Sequence, residues 1–385
     1  MKIFGAHDEA TIEQLRQCAA AESDAPAVLC ADGHLGYSMP IGGVVGYRRH
    51  ISPSGVGYDI GCGNLAVRTD LRAADFTISD LERIGDEIAR RVAFGMGRRN
   101  STPIRDHQVF NTISRSPVAG QRALIGLARE QLGTVGGGNH YVDVLEDADG
   151  IFWVGVHFGS RGFGHKTATG FLNIGAGRPF DSRSRIGGEM HAPPTLLRLD
   201  ASTGQDYIEA MTIAGQYAYA GRETVAATVM EIVGAAETDR VHNHHNFAWR
   251  EQHYGEFFWV VRKGTTPAFP GQRGFIGGSM DDVAVIVRGR ESPQSHAALY
   301  STVHGAGRVM SRRQAKKTVD FSSVRDRLRS QGTVLRGGGA DEAPQVYRKL
   351  SDVLAPHKGT IDIEHVLKPR IVVMAGPQEY DPYKD

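Results

Sequence analysis

The chain has 385 residues, a formal net charge of +1, 41% hydrophobic and 23% charged residues, the proportions of an ordinary globular protein. So small a net charge excludes a chain-wide polyanion-binding surface, and any nucleic-acid groove has to be a local patch. No apolar run approaches the roughly 18 residues of a membrane-spanning helix and MKIFGAHDEATIEQ carries no evident secretory signal, so a cytoplasmic protein without a membrane partner is expected.

The cysteines are Cys18, Cys30 and Cys62. An odd, sparse set argues against a disulfide scaffold and for a reducing compartment. No linker-like stretch or repeat divides the sequence, and a single domain over residues 1–385 is expected.

In chain order, Ser79-x-x-Glu82 reads as a capping box that opens a helix with Leu81, Ile84, Ile88 and Val92 on one face. Residues 121–132 read as a second helix. GIFWVGVH, β-branched and aromatic, reads as a strand. Residues 205–233 read as a long helix with Tyr207, Met211, Ala214 and Ala218 along its buried stripe. EFFWVVRKG, DVAVIVRG and PRIVVMAG read as further strands. Helices and strands are interspersed without strict βαβ alternation, which predicts an α+β fold rather than a doubly wound sheet.

Between these elements the 48 glycines gather in bursts: DGHLGYSMPIGGVVG, SGVGYDIGCG, GTVGGGNH, HFGSRGFGH, PGQRGFIGGS, HGAGR and RGGGADEAP. ISPSGVGYDIGCGN holds Asp59 and Cys62 three residues apart. By itself this stretch is equally a capped turn with a buried thiol or half of a metal site. The 16 histidines shift the weight. His140 ends GGGNH, His157 ends a strand, His245 lies in HNHHNF and His304 opens HGAGR. Glycine lets backbone approach a ligand closely. Imidazole, carboxylate and thiolate together suit a transition ion such as manganese, iron, cobalt or zinc.

A second theme is phosphate. Gly305, Ala306 and Gly307 precede a basic segment with Arg308, Arg312 and Arg313. If a helix starts there, its backbone N–H groups cradle an anion. A glycine turn before a basic surface helix explains the same residues equally well. No G-x-x-x-x-G-K-[ST] loop is present.

The ordered set DGHLGYSMPIGGV, GVGYDIGCG, GGGNH, HFGSRGFGH, HHN, RKGTTPAFPGQ, GSM, HGAGRVMSR and DEAPQVY resembles the RtcB family of RNA ligases. The resemblance runs from about residue 30 to the C-terminal region. It implies an α+β fold with a β-sandwich-like core and flanking helices. It also implies GTP and two manganese ions as cofactors. The substrates it implies are RNA 3′-phosphate or 2′,3′-cyclic phosphate ends and 5′-hydroxyl ends. By the same resemblance Asp59, Cys62, His140, His157 and His245 are metal ligands, Cys62 bridges both ions, and His304 is the nucleophile, with Asp32 assisting. Asn139, Asp143, Gly305, Ala306, Gly307, Arg308, Ser279 and Tyr347 are the implied nucleotide contacts. An archease-type helper is implied by the resemblance alone.

Three places depart from the family pattern. Ala375 stands where the family has a lysine that contacts guanine, with Lys384 as the nearest lysine in the tail. Asp143 replaces a glutamate. Asp281 and Asp282 add negative charge where phosphates would approach. All three bear on nucleotide handling, which marks a divergent paralogue and keeps two alternatives open: a metal-dependent RNA phosphodiesterase or phosphatase without nucleotide transfer, and a non-catalytic metal- or RNA-binding protein.

Overall fold

A computed structural model describes residues 1–183 and 190–377; Lys384 lies outside the described residues. The larger sheet runs in the order Arg273–Ile276, Ala284–Gly289, Ile361–Met374, Tyr141–Glu146, Ile151–Phe158, Gly63–Arg72, Glu237–His244. Every pairing along this path is antiparallel. Val334–Arg336 adds a parallel strand to Ile361–Met374.

The two ends of this sheet meet. Phe275 N–H donates to Asn243 Oδ1 at 3.0 Å, Asn64 Nδ2 donates to the Phe275 carbonyl at 2.8 Å, and Arg273 pairs with Asp239 at 2.8 Å. The sheet is therefore nearly closed. Strand periodicity fills both of its faces. Ala66, Leu145, Trp153, Val241, Phe275, Ala284, Ile286 and Leu367 pack inside. Their neighbours Leu65, Val67, Val144, Phe152 and Val154 point outward, to Leu81, Ile84 and Ile88 of the helix Ile78–Arg91 and Val225 and Val229 of the helix Ser202–Val233.

A second sheet has the order Lys2–Ile3, Ala27–His34, Ile41–Tyr47, Glu256–Lys263, Asn246–His253. One face brings Val28, Val44 and Val260 against Ile276, Val285 and Val287 of the larger sheet. The opposite face brings Leu29, Val45 and Val261 into the helical core with Tyr207, Met211 and Ala214. This is the expected α+β architecture of packed sheets with flanking helices. Among the described residues, no helix is long and apolar enough to cross a membrane.

The long helix extends three residues further N-terminal than the sequence suggests, and all four residues of its expected stripe are buried. Two local expectations are corrected. The capping box is Thr77 with Asp80, not Ser79 with Glu82, so the helix starts at Ile78. Residues 121–132 form two short helices, Ala119–Arg122 and Ile125–Gln131. Buried Gln121 anchors the first of them, through Ser116 Oγ at 2.7 Å and the Ala210 carbonyl at 2.8 Å.

Candidate metal centre

Three neighbouring strands of the larger sheet end beside one another at the centre. Gly63–Arg72 lies between Ile151–Phe158 and Glu237–His244, with Gly63 opposite both Phe158 and His244. That register brings together Cys62, just before the first strand, His157, near the end of the second, and His245, just after the third. A side chain on Gly63 would overlap the Asn243 carbonyl, so glycine is needed for the approach. His140 enters from the loop before Tyr141–Glu146, and Asp59 from the turn before Cys62, where Cys62 N–H donates to the Asp59 carbonyl at 3.0 Å.

Donor atoms converge. Cys62 Sγ is 3.5 Å from His157 Nε2 and 3.6 Å from His140 Nε2. His157 Nε2 is 3.4 Å from His245 Nε2, and His140 Nε2 is 3.1 Å from Asp59 Oδ2. They form two groups able to hold an ion, Cys62–His157–His245 and Asp59–Cys62–His140, with Cys62 common to both. All five residues that the sequence singled out for metal fall in these groups.

The protonation of the buried histidines and of Asp59 suits ligation. His157 Nδ1–H donates to the Asn139 carbonyl at 2.9 Å, which leaves the Nε2 lone pair facing the cluster. Burial first, and neighbouring imidazoles second, push His157 and His245 well below the usual imidazole range, so both are neutral donors. Burial alone would raise the Asp59 carboxyl, but His140 and Arg161 hold it down at about 2. Burial, then the Asp59 charge, push the Cys62 thiol well up. The Nδ1 atoms of His140 and His245 are buried without a hydrogen-bond partner. The mixed nitrogen, oxygen and sulfur donors of Asp59, Cys62, His140, His157 and His245 suit a transition ion.

His304 follows the short strand Ser301–Val303, and its ring lies 4.7 Å from that of His245. Its Nδ1–H donates to Asp32 Oδ2 at 2.6 Å, and its backbone N–H reaches the same oxygen at 3.0 Å. Asp32 is fully buried. It sits where Ala27–His34 slips register against Ile41–Tyr47, between Leu29 and His34. His357 holds this bulge by accepting the Ala31 N–H at 3.2 Å.

The anion cradle expected at Gly305–Gly307 takes a different form. The helix starts at Arg312 with Ser311 as its cap, so those glycines are not its first turn. Gly305 N–H instead points to Asp32 Oδ2 at 3.4 Å, so the carboxylate of a distant strand is the anion held there. Ala306 is buried, and Gly307, at φ +73, packs so closely on the Asp32 carbonyl that a side chain would overlap it.

The other expected nucleotide contacts surround this core. Tyr141 lies 5.2 Å ring to ring from His157, and its hydroxyl fills the space a side chain on Gly277 would need, so the Gly277–Ser279 loop borders the cluster. Ser279 Oγ donates to Asp281 at 2.9 Å, and Asp281 pairs with Arg327 at 2.9 Å. Asp282 accepts the Leu350 N–H at 2.9 Å. The Asp281 charge is thus paired locally, and Asp282 is engaged by backbone N–H groups. Arg308 reaches the Tyr347 hydroxyl at 3.1 Å, and Tyr347 donates to Glu342, which also pairs with Arg312. Arg312 in turn lies against Gly138 of the GGGNH loop. Asp143 keeps a buried, unpartnered Oδ1, and burial pushes its carboxyl well up. The Ala375 carbonyl accepts the Gly338 N–H at 3.0 Å.

Sequence reasoning missed Glu342, which with Asp341 offsets the basic cluster, and Gly159, whose missing side chain makes room for Asp59. It also missed His357 and Arg222. Arg222 alone left a local signal: it continues the buried stripe of the long helix four residues after Ala218.

A model of the family described as tRNA-splicing ligase RtcB matches residues 14–123 and 115–375. The RNA-splicing ligase RtcB of Escherichia coli K12 is 30% identical over 369 residues, covering 89% of this chain and 88% of the relative. The tRNA-splicing ligases RtcB of Archaeoglobus fulgidus and Thermococcus kodakarensis are 30% and 29% identical over 406 and 405 residues, each covering 85% of this chain and 83% of the relative.

Proposed function

The chain belongs to the RtcB family, and from that membership we propose that it is an RNA ligase joining 3′-phosphate or 2′,3′-cyclic phosphate ends to 5′-hydroxyl ends. GTP and two manganese ions are the cofactors of this reading, with Asp59, Cys62, His140, His157 and His245 as ligands. The observation that carries it is the 2.6 Å bond between His304 Nδ1 and Asp32 Oδ2 beside the donor cluster.

That bond fixes the proton on Nδ1 and leaves the Nε2 lone pair for attack. Burial alone would raise the Asp32 carboxyl, but its contacts with His304, the ring and backbone hydrogen bonds among them, hold it below its usual range. It therefore stays ionised and stabilises the imidazolium that forms as Nε2 bonds to the α-phosphorus of GTP and pyrophosphate leaves. A 2′,3′-cyclic end is first opened by water to a 3′-phosphate and a 2′-hydroxyl; the RNA 3′-phosphate then takes GMP from His304, giving an activated diphosphate. The 5′-hydroxyl attacks the RNA phosphorus and releases GMP, which closes the phosphodiester. Bound ions supply charge neutralisation for the phosphoryl oxygens. Arg308 and Arg312, paired here with Glu342 and, for Arg312, also Asp341, add positive charge beside the GGGNH loop.

A second reading, a phosphodiesterase that opens cyclic phosphate without a nucleotide, is favoured by Ala375 and by the shorter, unpartnered Asp143. Incubating RNA of both end types with manganese, with and without GTP, separates the two. Joined RNA that requires GTP supports the ligase. Opened cyclic phosphate with no nucleotide requirement, and no joining, supports the phosphodiesterase.

A further inference from the structure

The three strand ends that carry Cys62, His157 and His245 share one side chain from outside the motifs. Arg222 lies in the helix Ser202–Val233 and is 0% exposed. Its Nη1 donates to the Gly61 carbonyl at 2.8 Å and to the Phe158 carbonyl at 2.6 Å. Its Nε donates to His242 Nε2 at 2.9 Å, and its Nη2 lies 3.1 Å from His244 Nδ1. Gly61 precedes Cys62, Phe158 follows His157 and His244 precedes His245. One guanidinium thus touches the immediate chain neighbour of every member of the group Cys62–His157–His245.

Packing does not require this residue. The position continues an otherwise apolar stripe, and an aliphatic side chain there would fill the helix–sheet contact without desolvating a charge. Among the described residues no carboxylate pairs with Arg222; its partners are two carbonyls, two imidazoles and the Tyr219 ring at 5.2 Å. A planar fork with several fixed donors does one thing no aliphatic group or lysine can. It sets the relative positions of groups on separate strands.

We propose that Arg222 is the positioning residue of the metal centre, holding three strand ends at the spacing that lets Cys62, His157 and His245 close on one ion. The inference rests on the metal-dependent reading above. Its role is to preorganise the donors, in the way that partners of metal ligands elsewhere raise affinity 10- to 100-fold.

The test is a titration of wild type, Arg222→Met and Arg222→Lys with cobalt(II), following the thiolate-to-cobalt charge-transfer band, with thermal melts as the folding control. Arg222→Met is expected to melt cooperatively, bind cobalt about 10-fold more weakly or worse, and lose or shift the band. Arg222→Lys is expected to fall between. Wild-type affinity and band in a folded Arg222→Met overturn the proposal. If Arg222→Met does not fold, Arg222→Lys decides. A native melt with weakened binding supports positioning, whereas native binding, or unfolding of both variants, assigns Arg222 to folding and overturns it. Wild type that binds no cobalt sinks the metal reading itself, which is a distinct result.

Discussion

Asp32 Oδ2 accepts both the ring Nδ1–H of His304, at 2.6 Å, and its backbone N–H, at 3.0 Å. The two residues are 272 positions apart, and two separate sheet segments have to pack before they meet. The carboxylate therefore fixes the ring's tautomer and its angle together.

Replacing Asp32 by Asn keeps the shape and removes the charge. The ring then loses the anion that stabilises its protonated form, and either tautomer can be accommodated. Formation of the nucleotide adduct is expected to slow by about 10²- to 10⁴-fold, the usual range for proton management at a reacting group. Single-turnover kinetics with α-labelled GTP measure this, and a rate within a few-fold of wild type would contradict the role given to Asp32.

Cys62 belongs to both donor groups, while His245 and His140 each belong to one. Cys62→Ala is expected to lose both ions, and His245→Ala and His140→Ala one each. Metal content after equilibration with manganese, or titration followed by electron paramagnetic resonance, reads the stoichiometry. Full occupancy in Cys62→Ala would rule out a shared thiolate.

Away from the centre, Asp147 is a test of what holds the nearly closed sheet. Its side chain accepts Trp153 Nε1–H at 2.9 Å and the Ile151 N–H at 2.9 Å, and pairs with Arg68 at 3.0 Å. Burial raises its carboxyl, but these donors outweigh burial and hold it below the usual aspartate range. A depressed folded value contributes stability above the unfolded one, and that contribution fades as pH falls through the folded value. Asp147→Asn is expected to cost about 1–3 kcal/mol near neutral pH. The gap to wild type should shrink in acid, below the unfolded carboxyl value, which paired thermal melts would show. A gap independent of pH would contradict the charge argument.

The parts legible in the sequence were those that a short window contains. The apolar stripe from Tyr207 to Ala218 and the strand GIFWVGVH carry their own periodicity. Asp59, Cys62 and the histidines at glycine-burst edges carry their chemistry in their side chains. What failed was choice between equal local options. Thr77-x-x-Asp80 and Ser79-x-x-Glu82 obey the same spacing, and only the structure shows which closes the box. The Gly305–Gly307 turn looked like an anion cradle, and the anion proved to be Asp32, brought in by a register slip no local pattern encodes. Arg222 was visible as a charge in an apolar stripe, but its meaning depends on three strands elsewhere in the chain.

The central claim is that His304 Nε2 carries the nucleotide. The most direct measurement is to incubate the protein with manganese and α-labelled GTP, isolate the acid-labile adduct and map it by peptide mass spectrometry. The account predicts GMP on His304 in wild type and none in His304→Ala. Label on another residue, or undiminished label in His304→Ala, would contradict it.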